Sequence, residues 1–551
     1  MMLAWLACAT DVVEAPPEPV ARFPAGRSPQ ERDARPSAYT HEAPGPCASC
    51  HSAEAAAWAG SSHDLALTDP DLALGLFDGQ PRDLGSLTAT PFLEDGERLV
   101  EVRDGQGTDR LQVVHAFGHA PLQQLLLEGE AGALYVAPLA WDVARGVWFD
   151  PSTEGASGDP ADPLYWRGLF GTWNHACASC HSTGVVEAFS PDSGYATTST
   201  HPDVACQACH GEGPEVRTLA RGAEEIDTCA TCHSLRASFH EGWSPGAPLL
   251  DHYLPALLDD PVWSPDGRLV DDREVFEWGS FVQSGMYAAG VRCTDCHDPH
   301  TAGLRQEGDA LCLACHPPSY AAVAHGYGEG SCVDCHAPTK TYMGIDDRHD
   351  HAFGHDGDRL GRLVTAARAG DPDVAAPLLA LASSDDPDFH RASAISLLAR
   401  TGPPGTADEV LGLLDDRSDL VRWRTVGTLA AWGVVEPLWP LLDDPIRAVR
   451  VAAAQALVTQ RPPSPVAGAS LAAARAEWQA GMEAEADEPA HQLNLGMLAR
   501  LDGDDEAALS HFRAAVGLAP SYEPARRALA GALGRAGRID EAKAALAGDA
   551  P

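Results

Sequence analysis

Lysine is almost missing from this chain of 551 residues: Lys340 and Lys543 are the only two. Acidic side chains outnumber basic ones, 79 to 38, which gives a formal net charge of −41. Nucleic acid and anionic lipid headgroups both need a basic face, so this balance argues against either as a partner. Its simplest reading is solubility of a large secreted protein. Long apolar runs are also lacking. No stretch approaches the roughly 18 apolar residues that a membrane-crossing helix requires.

What the chain does have is a repeated pentapeptide. Cys-x-x-Cys-His begins at Cys47, Cys177, Cys206, Cys229, Cys293, Cys312 and Cys332, and uses every cysteine except Cys8. The second cysteines are Cys50, Cys180, Cys209, Cys232, Cys296, Cys315 and Cys335. The spacing is that of c-type haem attachment, in which two thiols bond to the porphyrin vinyls and the next imidazole ligates the iron. The proximal ligands are then His51, His181, His210, His233, His297, His316 and His336. Zinc sites draw two Cys pairs into one tetrahedron and do not need a His after each pair. Disulfide frameworks have no use for the His either. Seven covalent haems are therefore expected.

That chemistry is assembled outside the cytoplasm, so a periplasmic or outer-membrane-attached location is expected. The opening Met1-Met-Leu-Ala-Trp-Leu-Ala-Cys8 lacks a basic start and is short for a signal peptide, so further residues are expected upstream. Cys8, preceded by Ala7 and followed by a proline-rich stretch, reads as a lipoprotein processing site. The alternative is a cysteine inside a signal peptide that is removed.

Four regions follow from composition. Residues 1–40 read as anchor and Pro-rich linker, and 41–355 as the haem domain. Haems packed this densely would serve as the hydrophobic core, with a short helix under each motif. Within it, Leu111, Val113, His115 and Phe117 alternate on one face, Leu99–Val102 and Ala133–Ala137 are short apolar runs, and Gly105-Gln-Gly107 reads as a turn. These predict a small β insert at about 86–150. From Asp358 the chain becomes Ala/Leu-rich. Asp385–Arg391, Asp415–Arg422 and Asp443–Arg450 align with a period that resembles HEAT-like repeats over 359–461. Leu495, Gly496, Ala508, Phe512, Ala515 and Pro520 fall in the columns of a tetratricopeptide repeat over 468–549. The expected fold is mainly α: a haem-cored domain with a β insert, then an α-solenoid whose concave face suits a partner.

Each haem's sixth site decides between electron transfer and substrate binding. There are 23 histidines, so supply forces no site open. His300, in Cys293-Thr-Asp-Cys-His-Asp-Pro-His, is the leading distal candidate, followed by His63, His351, His175, His325 and His119. His390, His491 and His511 lie in the repeats and are expected at the surface.

Cys47-Ala-Ser-Cys-His with Trp58 and Ser-Ser-His63, Val204-Ala-Cys-Gln-Ala-Cys-His-Gly211 and Gly290-Val-Arg-Cys-Thr-Asp-Cys-His-Asp-Pro-His300 resemble the cytochrome c-552/c-554 multihaem domain. That domain belongs to the wider group of hydroxylamine oxidoreductases and pentahaem nitrite reductases. Relatives with C-terminal repeats often carry an eighth motif after the segment matching Asp347–His351. Here that segment runs straight into helix, so the resemblance implies that the eighth haem is lost. The nitrite-reductase pattern would need Cys-x-x-Cys-Lys, which does not occur, and Lys340 is the one lysine near a motif. A hydroxylamine-oxidoreductase-like site would need a Tyr cross-link, for which Tyr287 or Tyr342 could be offered. The resulting expectation is an exported electron carrier with no catalytic residue, docked to redox partner proteins through its helical repeats. It would meet a membrane only through a lipid at Cys8. The alternatives are a multihaem oxidoreductase acting on nitrite, hydroxylamine or a sulfur oxyanion at one open haem, and a sensor.

Overall fold

The computed structural model describes residues 47–548 apart from 153–156, 161, 163, 213–215, 262, 265–276, 317–330, 355–356, 403–406 and 461–467. The expected linker with Cys8, and the candidate ligand His325, lie outside the described residues. A sheet stands near the N-terminal end and long helices dominate from residue 357, so the fold is broadly helical with some β structure. Among the described residues no helix is long and apolar enough to cross a membrane.

The sheet has seven antiparallel strands, each paired with its chain neighbour. They are β1 (Arg82–Asp83), β2 (Thr88–Glu94), β3 (Glu97–Asp104), β4 (Gly107–Phe117), β5 (Leu122–Glu128), β6 (Leu134–Asp142) and β7 (Val147–Phe149). The β2–β3 hairpin turns on Asp95-Gly96, both at positive φ (51° and 91°). A two-residue turn of that kind matches the right-handed twist of the flanking strands.

The alternation expected through β4 breaks part-way. Leu111 and Val113 pack with Val100, Leu125 and Leu127, but the register shifts between Val113 and His115. A bulge in a period-two strand sends the following side chains to the opposite face. His115 therefore stands opposite Leu126, and Phe117 packs with Leu126 rather than with Leu111 and Val113. This shift has a consequence. Phe117 and Leu126 meet Trp173, Cys177 and Ala178, so one face of the sheet rests on the second Cys-x-x-Cys-His motif.

The largest apolar core joins residues on both sides of the change in composition near 358. Ile226, Leu250, Leu258 and Trp263 share it with Leu378, Phe389, Val426 and Leu457. Further along, the Gly468–Ala484 helix touches the loop at Phe239, where a Cβ on Gly481 would fall 2.3 Å from the Phe239 carbonyl oxygen. Only glycine permits that approach.

The aligned Asp and Arg positions form a ladder between successive helices. Arg391 pairs with Asp416, Arg422 pairs with Asp444 at 2.7 Å, and Arg450 pairs with Glu477. Arg391 and Arg422 each end one aligned segment and reach an acid of the next, and Arg450, ending the last, reaches the following Gly468–Ala484 helix. Asp416 and Asp444 also fix the turns ahead of the next helices: Asp416 Oδ1 accepts from Ser418 N and Asp444 Oδ1 from Ile446 N, each at 2.9 Å.

The three helical histidines are not simple surface groups. His491 Nδ1 lies 3.0 Å from the Glu485 carbonyl oxygen, and His511 Nδ1 lies 2.9 Å from Gln492 Oε1. His390 Nε2 lies 3.1 Å from Gln283 Oε1, and burial pushes its pKa from the ordinary 6.5 down to about 4. The folded chain thus resists a proton that the unfolded chain accepts. The contribution of His390 to stability is complete above the unfolded value and is lost as pH falls from about 6.5 to about 4. Urea unfolding of His390→Gln and wild type across that range should converge at acid pH, with wild type losing roughly 2–3 kcal/mol more than the variant. Parallel pH profiles would refute this role.

Candidate functional site

A single helical turn places residues i, i+3 and i+4 on one face, so it can present two thiols and an imidazole together. The motifs use that geometry. They lie on the helices Cys47–Cys50, Ala178–His181, Cys206–His210, Ala223–His233, Cys293–Cys296, Asp309–Leu313 and Cys332–His336, or in the turn directly joined to them. Backbone bonds from the motif His to the first Cys close the turn, as in His51 to Cys47 (2.8 Å), His181 to Cys177 (3.1 Å) and His316 to Cys312 (2.9 Å).

The imidazoles are oriented from behind. His181 Nδ1 lies 3.1 Å from the Ala66 carbonyl oxygen, and His210 Nδ1 lies 2.9 Å from that of Arg217. His233 Nδ1 lies 3.1 Å from Glu277 Oε2. An imidazole that donates from Nδ1 keeps its lone pair on Nε2, the tautomer a metal requires.

Three of these rings face a second histidine. The ring centroids of His63 and His233 are 6.5 Å apart, those of His210 and His300 are 6.3 Å apart, and those of His297 and His351 are 6.2 Å apart. A metal–imidazole bond is about 2 Å and a ring nitrogen lies about 1 Å from its ring centre, so two imidazoles sharing one ion have centres roughly 6 Å apart. The donor set and its spacing therefore fit a six-coordinate iron at each pair. Burial, reinforced by His233, holds the His63 pKa down at about 4, so its lone pair is available at neutral pH. Burial lowers His297 in the same way.

The motifs also touch one another. Cys206 contacts Cys47, Cys229 contacts Cys293, and Cys332 contacts Cys312. Cys209 stands near Cys229, and Cys296 near Cys312 and Cys315. Cys180 Sγ lies 4.0 Å from the Cys232 carbonyl oxygen. By first cysteine, the motifs at 47 and 206, at 229 and 293, and at 312 and 332 are in contact, these pairs are neighbours in that order, and 177 adjoins 229.

A family model for a doubled CXXCH motif matches residues 285–320, the stretch holding the Cys293 and Cys312 motifs. The chain binds c-type haem covalently. No curated protein and no solved structure matches it.

The remaining candidates fall elsewhere. His119 sits in the β4–β5 loop, two residues after Phe117, whose ring centroid is 5.6 Å from that of His181. His175 faces carboxylates instead, with Nδ1 3.1 Å from Asp487 Oδ2. Lys340 is in the strand Thr339–Tyr342. Tyr287 and Tyr342 each lie under a guanidinium, with Arg292 at 4.9 Å and Arg348 at 5.3 Å from the ring centroid. Glu277 was not legible as a functional residue. It stands 44 residues from His233 in sequence, and no motif marks it.

Proposed function

We propose that this protein is an exported electron carrier with seven c-type haems, and that its C-terminal helices dock a redox partner. The observation that carries the reading is that three proximal histidines each face a second histidine at the spacing of a shared ion. When bound, haem supplies reversible one-electron oxidation and reduction of its iron, and two imidazoles leave no position for substrate. His63, His300 and His351 are the distal ligands opposite His233, His210 and His297. His119 is the candidate opposite His181, brought there by the sheet face that Phe117 helps to form. Thiol contacts and near neighbours together give a continuous series of attachment sites, with the Cys229 motif as its branch point.

The ladder of Asp and Arg pairs supports the HEAT-like reading of the helices, and the packing of Leu495, Ala508 and Phe512 supports the tetratricopeptide reading. A periplasmic or outer-membrane-attached location, with a lipid at Cys8 as the membrane anchor, follows from the attachment chemistry. The decisive measurement is low-temperature EPR with CO binding. Low-spin ferric signals alone, and a reduced protein that ignores CO, support a carrier. A high-spin signal with CO or nitrite binding would favour the oxidoreductase. Deletion of 359–551 would unfold the shared core, so docking is better tested by surface substitutions on the helices, read as lost partner binding with unchanged haem spectra.

Glu277 should tune the branch-point haem. A carboxylate accepting from the ligand's Nδ1 makes the imidazole a stronger donor and favours ferric iron. Glu277→Gln is expected to raise that haem's midpoint potential, and a tenfold weaker preference for ferric iron corresponds to about 59 mV for one electron. A redox titration in which no component moves upward would remove Glu277 from this role.

A further inference from the structure

The loop between the Gly468–Ala484 and Pro489–Leu501 helices brings Glu485 and Asp487 onto the haem-bearing part of the chain. There they meet His175, two residues ahead of Cys177, and Glu187, which follows the same motif. His175 Nδ1 lies 3.1 Å from Asp487 Oδ2, 3.8 Å from Glu187 Oε2 and 3.9 Å from Glu485 Oε2. One ligand atom from each of the four residues falls within 4.8 Å of the others. Among the described residues this is the one convergence of three or more His, Cys, Asp or Glu of that kind.

Three carboxylates at such distances repel one another, and burial removes the water that would screen them. Asp487 is 1 % exposed and Glu187 is 8 % exposed. The hydrogen bonds made by the cluster do not satisfy it. Tyr195 donates its hydroxyl to Asp487 Oδ2 at 2.8 Å and His175 Nδ1 lies 3.1 Å from the same oxygen, but Asp487 Oδ1 and Glu187 Oε1 are buried without a hydrogen-bond partner. The guanidinium that faces Glu485, Arg236, hydrogen-bonds to Thr231, Ser238, Ser179 and Cys180. Unpaired acceptors buried around a common centre call for a cation.

We propose that His175, Glu187, Glu485 and Asp487 form a non-haem divalent-cation site that clamps the C-terminal helices to the segment carrying the Cys177 motif. The donor set selects the ion. One imidazole with three carboxylates suits a first-row ion such as zinc or manganese, whereas calcium takes six to eight oxygens. An ion about 2 Å from each donor holds neighbouring donors roughly 3–4 Å apart, which matches the distances from His175 Nδ1.

The test uses the full-length holoprotein, whose motif thiols are consumed by haem. After exposure to Zn²⁺ or Mn²⁺ and removal of loose metal, elemental analysis should show one divalent ion per chain beyond haem iron. Asp487→Asn and Glu187→Gln should each weaken its retention at least tenfold with haem content unchanged. The wild-type protein should also melt at a lower temperature after chelation and recover on adding the ion. That measurement decides the matter even where a variant fails to fold. Failure of wild type to take up either ion, or equal retention in both variants, would overturn the site. Displacement of zinc and manganese by equimolar Ca²⁺ would overturn the choice of ion.

Discussion

Replacing His63 by alanine is expected to turn one low-spin haem, the one attached at Cys229 and Cys232, into a high-spin, CO-binding haem. His63 faces His233 across 6.5 Å between ring centroids, and the substitution removes one imidazole of that pair. The surrounding chain should hold its place. The His63 carbonyl oxygen accepts from Val204 N at 3.2 Å, and the Trp58 indole donates to the Val204 carbonyl oxygen at 3.0 Å. His233 keeps its bond to Glu277, so the proximal side is intact. Low-temperature EPR should therefore gain a high-spin ferric signal equal to one haem, and the reduced variant should bind about one equivalent of CO. His300→Ala and His351→Ala should do the same at the haems of His210 and His297. The effect is large because an open sixth position changes spin state outright rather than shifting an equilibrium. A His63→Ala spectrum identical to wild type would mean that another side chain holds that position.

Asp444→Ala should be the costliest single change in the helical region. Asp444 receives Arg422 through Nε at 2.7 Å and Nη2 at 3.1 Å, and its side chain is 5 % exposed. Its removal takes the bidentate partner from a largely buried guanidinium and leaves only the more remote Asp416 and Asp419 opposite it, which costs up to about 3–5 kcal/mol. It also removes the carboxylate that accepts from Ile446 N in the turn ahead of the Arg447–Gln460 helix, a loss of about 1 kcal/mol for one hydrogen bond. The two losses share one side chain and are not additive. Far-UV circular dichroism in urea should show the destabilisation, while the haem spectra stay at wild type. The double substitution Arg422→Met with Asp444→Leu should recover most of the loss, since no buried charge then remains. A loss below about 1 kcal/mol in Asp444→Ala would place the pair among ordinary surface salt bridges.

Much of the site was legible because covalent haem attachment is a local requirement. One helical turn supplies both thiols and the proximal imidazole, so Cys293 to His297 can be read without any knowledge of distant contacts. The pairing of facing imidazoles is not local. His63 reaches His233 from a different part of the chain, and nothing near either residue names the other. His175 shows the same from the other side: it stands close to Cys177 in sequence, and the fold turns it toward Glu187 and Asp487, the latter some three hundred residues away. The β4 alternation failed for a related reason. Period two holds only while the ladder stays in register, and the bulge after Val113 moves His115 and Phe117 to the other face. The Asp95-Gly96 turn, by contrast, is a purely local signal, since an Asp-Gly pair between apolar strands favours a tight hairpin.

Sequence alone determined the cofactor class, because the Cys-x-x-Cys-His repeat has few other chemical uses, and it marked where Ala/Leu-rich helices replace the cysteine motifs. Tertiary structure decided which motifs are neighbours, which histidines face which, and that one apolar core runs across the change in composition. It also decided that two carboxylates from a loop between C-terminal helices meet a histidine and a glutamate beside the second motif. The physical reason is the range of the interactions. Attachment and helix formation act within a few residues, whereas axial ligation, burial and charge compensation depend on chain segments that only folding brings together.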